Sequence, residues 1–131
     1  MQNDEVPAAV EFEYLYRDAG NYKKWGSVVF PNVEAEALDE LRRRIGAVFP
    51  EDPIFIADQV RIPEVFLFSN DRYTSDDHCF HEFHSLQVAV EPANDVYSRS
   101  ISEFISELER EVAWGWRILE FAERHPSLPI L

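Results

Sequence analysis

Alternating apolar and polar side chains predict a β-hairpin near the start of the chain. From Val10 to Tyr16 every second residue is apolar or aromatic, which is typical of a strand that buries one face. Residues Asp18–Asn21 have turn-forming chemistry, since glycine and asparagine tolerate positive φ. A second strand is therefore predicted over Trp25–Phe30, and Pro31 stops it.

Helical spacing predicts two amphipathic helices. The first covers residues 33–48 with Asn32 as its N-cap. Its apolar positions recur every three or four residues: Leu38, Leu41, Ile45 and Val48. The second begins at Ser100, which can form a capping box with Glu103, and continues to His125. Gly115 lies in its middle, where glycine costs about 1 kcal/mol relative to alanine. It marks either a close-packing point or a break between two shorter helices.

The remaining segments are mostly extended. Residues 54–56 and 65–68 are apolar and predict either short buried strands or apolar loop anchors. Residues 79–90 predict a further strand, which is richest in β-forming residues between 86 and 90. The predicted fold is therefore α+β, an antiparallel sheet with an N-terminal β-hairpin and two helices packed on one face. The whole chain, residues 1–131, is expected to form a single domain.

Composition narrows the classes of partner. The chain has 46% apolar and 14% aromatic residues, which argues against disorder. Its 25 acidic and 12 basic residues give a net charge of −13 at pH 7. Such a field repels nucleic acid and anionic membranes and favours a basic protein partner.

Neither membrane insertion nor secretion is indicated by the sequence. No apolar run approaches the ~20 residues that span a bilayer. The residues after Met1 do not form a signal peptide, and the single cysteine, Cys79, cannot form an internal disulfide. We therefore expect a cytoplasmic protein.

Three of the four histidines lie within residues 78–84 and raise the question of a metal site. The zinc-protease motif fails, because only one residue separates Glu82 from His84. On a helix, His78, His81 and Glu82 would share a face and could bind a divalent metal such as zinc. On a strand, His78 and His84 would lie roughly 20 Å apart and could not share one ion. The strand pattern favours polar groups at a strand entry, and the metal site is the alternative.

The hairpin also carries a group of aromatic and charged residues, a mixture that is enriched in recognition surfaces. Its members include Tyr16, Arg17, Asp18, Asn21 and Trp25. The alternative interpretation is a strand whose tyrosines cover the core while Arg17 and Asp18 pair locally.

Three sequence blocks together support a resemblance. They are Tyr16-Arg17-Asp18 with Asn21-Tyr22-Lys23 and Trp25-Gly26, then Gln59-Val60 with Pro63, then Asp77-His78 with His81-Glu82-Phe83. In this order they resemble a group of small, acidic, uncharacterised bacterial proteins, from the first strand through the histidines. The resemblance carries no mechanism. It implies that the hairpin loop and the histidine run belong to one framework.

These observations favour a small cytoplasmic, non-enzymatic binding protein whose partner is a protein, with a basic one as the first candidate. The expected binding residues are Tyr16, Arg17, Asp18, Asn21, Trp25, His78, His81 and Glu82. The alternative is a metal-dependent hydrolase or metal-binding protein with His78, His81 and Glu82 as ligands. A third interpretation makes the same residues a polar brace between hairpin and sheet. Trp114 and the apolar tail 128–131 are candidates for a homodimer contact.

Overall fold

The computed structural model of the protein describes residues 5–17, 20–65 and 80–118. In chain order its elements are β1 (Ala9–Arg17), β2 (Lys23–Pro31), α1 (Leu38–Val48), β3 (Ile54–Phe55), a 3₁₀ helix (Ala57–Val60), β4 (His81–Val88) and α2 (Ile101–Trp114). The four strands form one antiparallel sheet in the order β2-β1-β4-β3. The predicted α+β fold with an N-terminal hairpin is thus confirmed.

Strand β1 lies between the other two long strands, β2 and β4. It pairs with β2 from Ala9 opposite Pro31 to Arg17 opposite Lys23. On its other side it pairs with β4, with a register shift next to Tyr14. The side chains that β1 turns toward the helices are fully buried, as its period of two predicts. They are Val10, Phe12 and Tyr14.

Both helices add their apolar stripes to a single core cluster on this face of the sheet. Helix α1 buries the four residues that the spacing predicts, Leu38, Leu41, Ile45 and Val48. Helix α2 places Phe104 against the sheet, where its ring stacks on Phe30 at 4.5 Å and meets Phe12 edge-on at 5.0 Å. Aromatic contacts of this kind add to the free energy gained by burial.

The helix ends differ in part from the prediction. The capping box of α2 is confirmed, because the Ser100 hydroxyl accepts from the Glu103 N–H and the Glu103 carboxylate accepts from the Ser100 N–H. The helix stops at Trp114, and Gly115 follows with φ of +105°, so the uninterrupted helix is wrong and the break is correct. Helix α1 starts at Leu38 and not at residue 33.

Asn32 explains the late start of α1. Its side-chain amide donates to the carbonyls of Pro7 and Glu36, and its oxygen accepts from the Glu36 N–H. The side chain therefore stabilises the loop before the helix and does not cap it. Ala37 occupies the N-cap position without a side-chain hydrogen bond.

The two ambiguous apolar segments have different outcomes. Residues 54 and 55 form the short strand β3, which pairs with the first two residues of β4. Of the second segment, only Val65 is described, and it lies in a loop that packs against the core. The strand predicted over 79–90 is β4, and Cys79 lies outside the described residues. No helix in the described ranges is long and apolar enough to cross a membrane.

Two glycines give opposite expectations for substitution by alanine. A Cβ on Gly26 would lie 2.9 Å from a methyl carbon of Val65 and 3.0 Å from the Tyr14 ring. A Cβ on Gly46, inside α1, would have no neighbour within 4 Å. We expect Gly26→Ala to lower the free energy of unfolding by about 2 kcal/mol through overpacking, and Gly46→Ala to raise it by about 1 kcal/mol. Urea denaturation of both variants checks this, and a stabilising Gly26→Ala would contradict the packing described.

Candidate functional site

Arg17 joins the end of the hairpin to β4. Its Nε donates to Glu82 Oε1 at 3.3 Å and its Nη2 donates to Glu82 Oε2 at 3.1 Å, while Nη1 donates to Asn21 Oδ1. The planar guanidinium suits this two-point contact, which fixes orientation as well as distance. Asn21 has φ of +67°, a left-handed conformation that asparagine tolerates better than most residues. The structure therefore brings Arg17, Asn21 and Glu82 into direct contact.

Exposed aromatic and basic side chains surround this contact. Tyr22 is 72% exposed and Trp25 is 48% exposed, although both are large enough to bury substantial area. Lys23 and Lys24 are the only lysines of the chain, and neither forms an ion pair within the described segments. We call this surface the hairpin end and define it as Arg17, Asn21, Tyr22, Lys23, Lys24 and Trp25. It is a local basic and aromatic surface on an acidic protein.

Trp25 connects the hairpin end to the sheet face opposite the helices. Its ring meets His84 of β4 edge-on at a centroid distance of 4.8 Å. His84 Nε2 lies 3.8 Å from a carboxylate oxygen of Glu13, which also accepts from the Ser85 hydroxyl. Sequence reasoning left His84 out of the site. The signal that could have included it is the strand period, which places His84 on the same face as Glu82.

His81 lies on the opposite face of β4, inside the core. Its side chain is almost completely buried, between the rings of Tyr14 at 5.9 Å and Tyr16 at 5.6 Å. Its Nε2 accepts a hydrogen bond from the Val65 N–H at 2.9 Å, so in the neutral ring the proton is assigned to Nδ1. Burial also raises the pKa of Tyr14, whose hydroxyl donates to the Pro63 carbonyl. His81 thus braces β4 against the loop before residue 66, whereas the brace predicted from the sequence joins hairpin and sheet.

The three residues of the metal alternative do not form a described site. His81 faces the core and uses Nε2 to accept from Val65, whereas Glu82 faces outward and binds Arg17 with both oxygens. Adjacent strand residues point to opposite faces, so these two cannot converge on one ion. His78 lies outside the described residues. Within the described part of the chain no three His, Cys, Asp or Glu side chains are arranged to hold a metal.

A buried ionic cluster at the start of α2 was not predicted. Arg99 is 6% exposed, and each of its five N–H groups has an acceptor. The acceptors are the carboxylates of Asp95 and Glu107 and the carbonyls of Val60 and Arg61. Full satisfaction of this kind is what makes a buried charge tolerable.

The cluster shifts the ionisation of its carboxyl groups. Burial alone would raise the pKa of Glu107, but hydrogen bonds from Arg61 and the charges of Arg99 and Arg61 hold it below its ordinary value. The pKa of Asp95 is lowered in the same way, since burial is outweighed by the hydrogen bonds and charge of Arg99. The hydrogen bond with Glu107 raises the pKa of Arg61, which therefore stays charged.

An open cavity of about 430 Å³ lies beside this cluster. Its charged lining alternates in sign, with Glu34, Arg61, Glu103 and Arg110 around it. Glu34 accepts from the Ser100 hydroxyl and Glu103 from the Ser100 N–H, while Arg61 binds Glu107. Because most of these groups already satisfy one another, we assign the cavity wall a structural role.

The predicted site residues therefore separate into two layers. Arg17, Asn21, Trp25 and Glu82 lie at or next to the exposed hairpin end. Tyr16 and His81 are buried beneath it and are not part of the exposed surface. Asp18 and His78 lie outside the described residues. No protein-family model matches the chain, and it has no significant similarity to a curated protein or to a solved structure.

The ionic cluster predicts a specific loss of stability. We expect Arg99→Met to lower the free energy of unfolding at pH 7 by about 3 kcal/mol, because it leaves Asp95 without its main partner and Glu107 with Arg61 alone. Arg110→Met is the matched control. Arg110 lies on α2 without a partner in the described segments, so its change should stay within about 0.5 kcal/mol. Urea denaturation at constant pH measures both, and equal effects would contradict the role of Arg99.

The same cluster predicts how the free energy of unfolding falls at acid pH. Both carboxyl pKa values are lower in the folded than in the unfolded protein, so their contribution is present above the unfolded value of about 4 and is lost as pH falls through the folded values. Glu107→Gln should therefore flatten the decline in unfolding free energy below about pH 5. Denaturation curves measured from pH 7 down to the acid transition check this. An unchanged slope would show that Glu107 does not contribute.

The hydrogen bond of His81 predicts a loss of stability on substitution, and substitution of the exposed His84 should not cause the same loss. His81→Leu removes the acceptor of the Val65 N–H, and we expect a loss of about 2 kcal/mol. His84→Leu makes the same chemical change at a half-exposed position and should alter stability by less than about 0.5 kcal/mol. Thermal unfolding followed by circular dichroism compares the two variants. A wild-type melting temperature for His81→Leu would exclude the brace.

Proposed function

We propose that this chain is a non-enzymatic binding protein that recognises a protein partner through its hairpin end. One observation carries the proposal. Two large aromatic side chains, Tyr22 and Trp25, are exposed beside two lysines that have no ion-pair partner in the described part of the chain. Tryptophan and tyrosine are enriched among the residues that dominate binding energies at protein interfaces.

The support beneath the hairpin end favours binding over simple exposure. Arg17 joins the turn to β4 by contacting Asn21 and Glu82. Trp25 rests on His84, and the buried Tyr16 and His81 fix the strands below. A surface that is already ordered loses less conformational entropy when a partner binds, so more of its contact energy contributes to affinity.

Charge suggests the kind of partner. The net charge of −13 attracts a basic protein at long range and speeds its association. At contact, Lys23 and Lys24 require acceptors, so the partner should present carboxylates or carbonyl groups to the hairpin end. We therefore infer a partner that is basic overall and offers acceptors at the contact. The resemblance to small acidic bacterial proteins favours a setting in the bacterial cytoplasm.

Site-specific photo-crosslinking identifies the partner and tests the surface. A benzophenone amino acid replaces Tyr22 in one preparation and Tyr97, which is 52% exposed, in the control. We expect one protein of the source organism to crosslink from position 22 and not from position 97. Mass spectrometry then identifies it. Equal crosslinking from both positions would indicate non-specific contact.

Affinity measurements with the identified protein complete the test. Tyr22→Ser combined with Trp25→Ser should raise the dissociation constant by at least about 100-fold, whereas Tyr97→Ser should leave it unchanged. The association rate should fall as salt is added, because screening weakens the long-range attraction. A double variant that binds like the wild type would exclude the hairpin end as the recognition surface.

A further inference from the structure

Beyond Phe83, whose N–H donates to the Pro53 carbonyl, the outer edge of strand β4 has no paired strand among the described residues. Strand β3 pairs only with His81 and Glu82. Further along, the Ala89 N–H donates to the Ala9 carbonyl. Hydrogen-bonded and non-hydrogen-bonded pairs alternate between antiparallel strands, so the backbone N–H and C=O of Val88 point away from β1. No hydrogen bond to the backbone N–H or C=O of Val88 from this side is found among the described residues. Among the residues that the structure describes, the sheet therefore ends at Val88 with one unpaired backbone donor and one unpaired acceptor.

The side chains of β4 itself give this edge little of the usual protection against pairing. Natural edge strands commonly carry charged side chains or proline that discourage another strand from adding. Residues 83–90 contain no Asp, Glu, Lys or Arg, although 28% of the chain is charged. Val88 is 40% exposed and Val90 is 93% exposed. This uncharged stretch of β4 is thus also an edge with exposed apolar side chains.

A groove runs beside this edge, between α1 and β4. It has a volume of about 340 Å³ and is lined by Arg42 and Gly46 of α1 and by β4 from Phe83 to Gln87. Arg42 Nε donates to the Leu86 carbonyl at 2.9 Å, so Leu86 also turns its backbone outward. This bond uses one of the two lone pairs of the carbonyl and leaves the second for a paired strand. A Cβ on Gly46 would have no neighbour within 4 Å, so the packing within this chain does not require glycine at this position of the helix.

We propose that two copies of the chain pair through the free edges of β4 and form a symmetric dimer with one continuous sheet. The outward backbone of Val88 places the twofold axis at this residue, with Val88 opposite Val88 of the second copy and Leu86 opposite Val90. Val88 lies on the core face, opposite Val10 of β1, and Val90 follows it by strand alternation. Val90 of each copy then enters the groove beside Gly46 of the other.

Shape favours a second copy as the occupant, and charge limits where that copy can approach. Two chains of −13 repel each other over most of their surfaces, and the uncharged edge is where they can approach without placing carboxylates together. The exposed valines and the groove that receives them belong to the same stretch of chain, so the surface is self-complementary, as a twofold interface requires. One edge pairing is a small interface, and we expect reversible association with a dissociation constant of roughly micromolar size.

This inference is independent of the proposed function. The hairpin end lies at the Arg17 end of β1, whereas the free edge lies at the Val10 end, about 20 Å away along the strand. Pairing through β4 leaves both hairpin ends accessible and makes the assembly bivalent. The two proposals can therefore fail separately. The chain can form the dimer without binding a partner at the hairpin end, or it can bind the partner as a monomer.

Sedimentation velocity across a wide range of protein concentration tests the dimer. We expect wild type to shift from monomer to dimer as concentration rises through the micromolar range. Val88→Lys and Val88→Glu should each raise the dissociation constant by at least about tenfold, because like charges meet on the twofold axis. An equal mixture of the two should recover dimer, since the opposed charges then attract. Ser27→Lys adds the same charge to the opposite edge strand, β2, and should leave association unchanged.

Two further measurements keep the result unambiguous. Circular dichroism confirms that each variant is folded, and Val90→Lys tests the interface at a position that is 93% exposed and unimportant for the fold of one chain. A wild type that stays monomeric at every concentration would overturn the proposal. So would a dimer that survives both Val88→Lys and Val90→Lys, because it would use another surface.

Discussion

Strand β1 is hydrogen-bonded to β2 along one side and to β4 along the other, and this double pairing sets the face on which each side chain lies. Its inward residues anchor both helices through the shared aromatic core. Its outward residues carry Glu13 and Arg17 to the opposite face, where they meet β4. A slip of one residue in this register would exchange the two faces and remove the core and the hairpin contacts together.

Polar side chains are placed on both sides of this sheet by different means. Inside, Arg99 and His81 are almost completely buried, and each connects a loop to the core through hydrogen bonds to backbone atoms. Outside, Arg17 and Glu82 are about one-third exposed and hold the hairpin end in place. Buried groups of the first kind stabilise the fold. Half-exposed groups of the second kind organise a surface without losing all contact with water.

The two proposed interaction surfaces lie on different strands, toward opposite ends of the sheet, and have opposite chemistry. The hairpin end is aromatic and basic, whereas the free edge of β4 is uncharged and partly apolar. This separation lets a dimer present two hairpin ends to its partners. If both surfaces act, linked binding raises the overall avidity without any new contact in either site.

The sequence by itself determined the hairpin, the buried stripes of both helices, the capping box of α2 and the α+β class. These features depend on residues within a few positions of one another, so local periodicity suffices to predict them. Only the tertiary structure decided that Arg61 meets Glu107, 46 residues away, that Asn32 holds a loop, and that His81 turns inward while Glu82 turns out. Such pairings depend on how distant segments pack, and no pattern along a single chain encodes those distances.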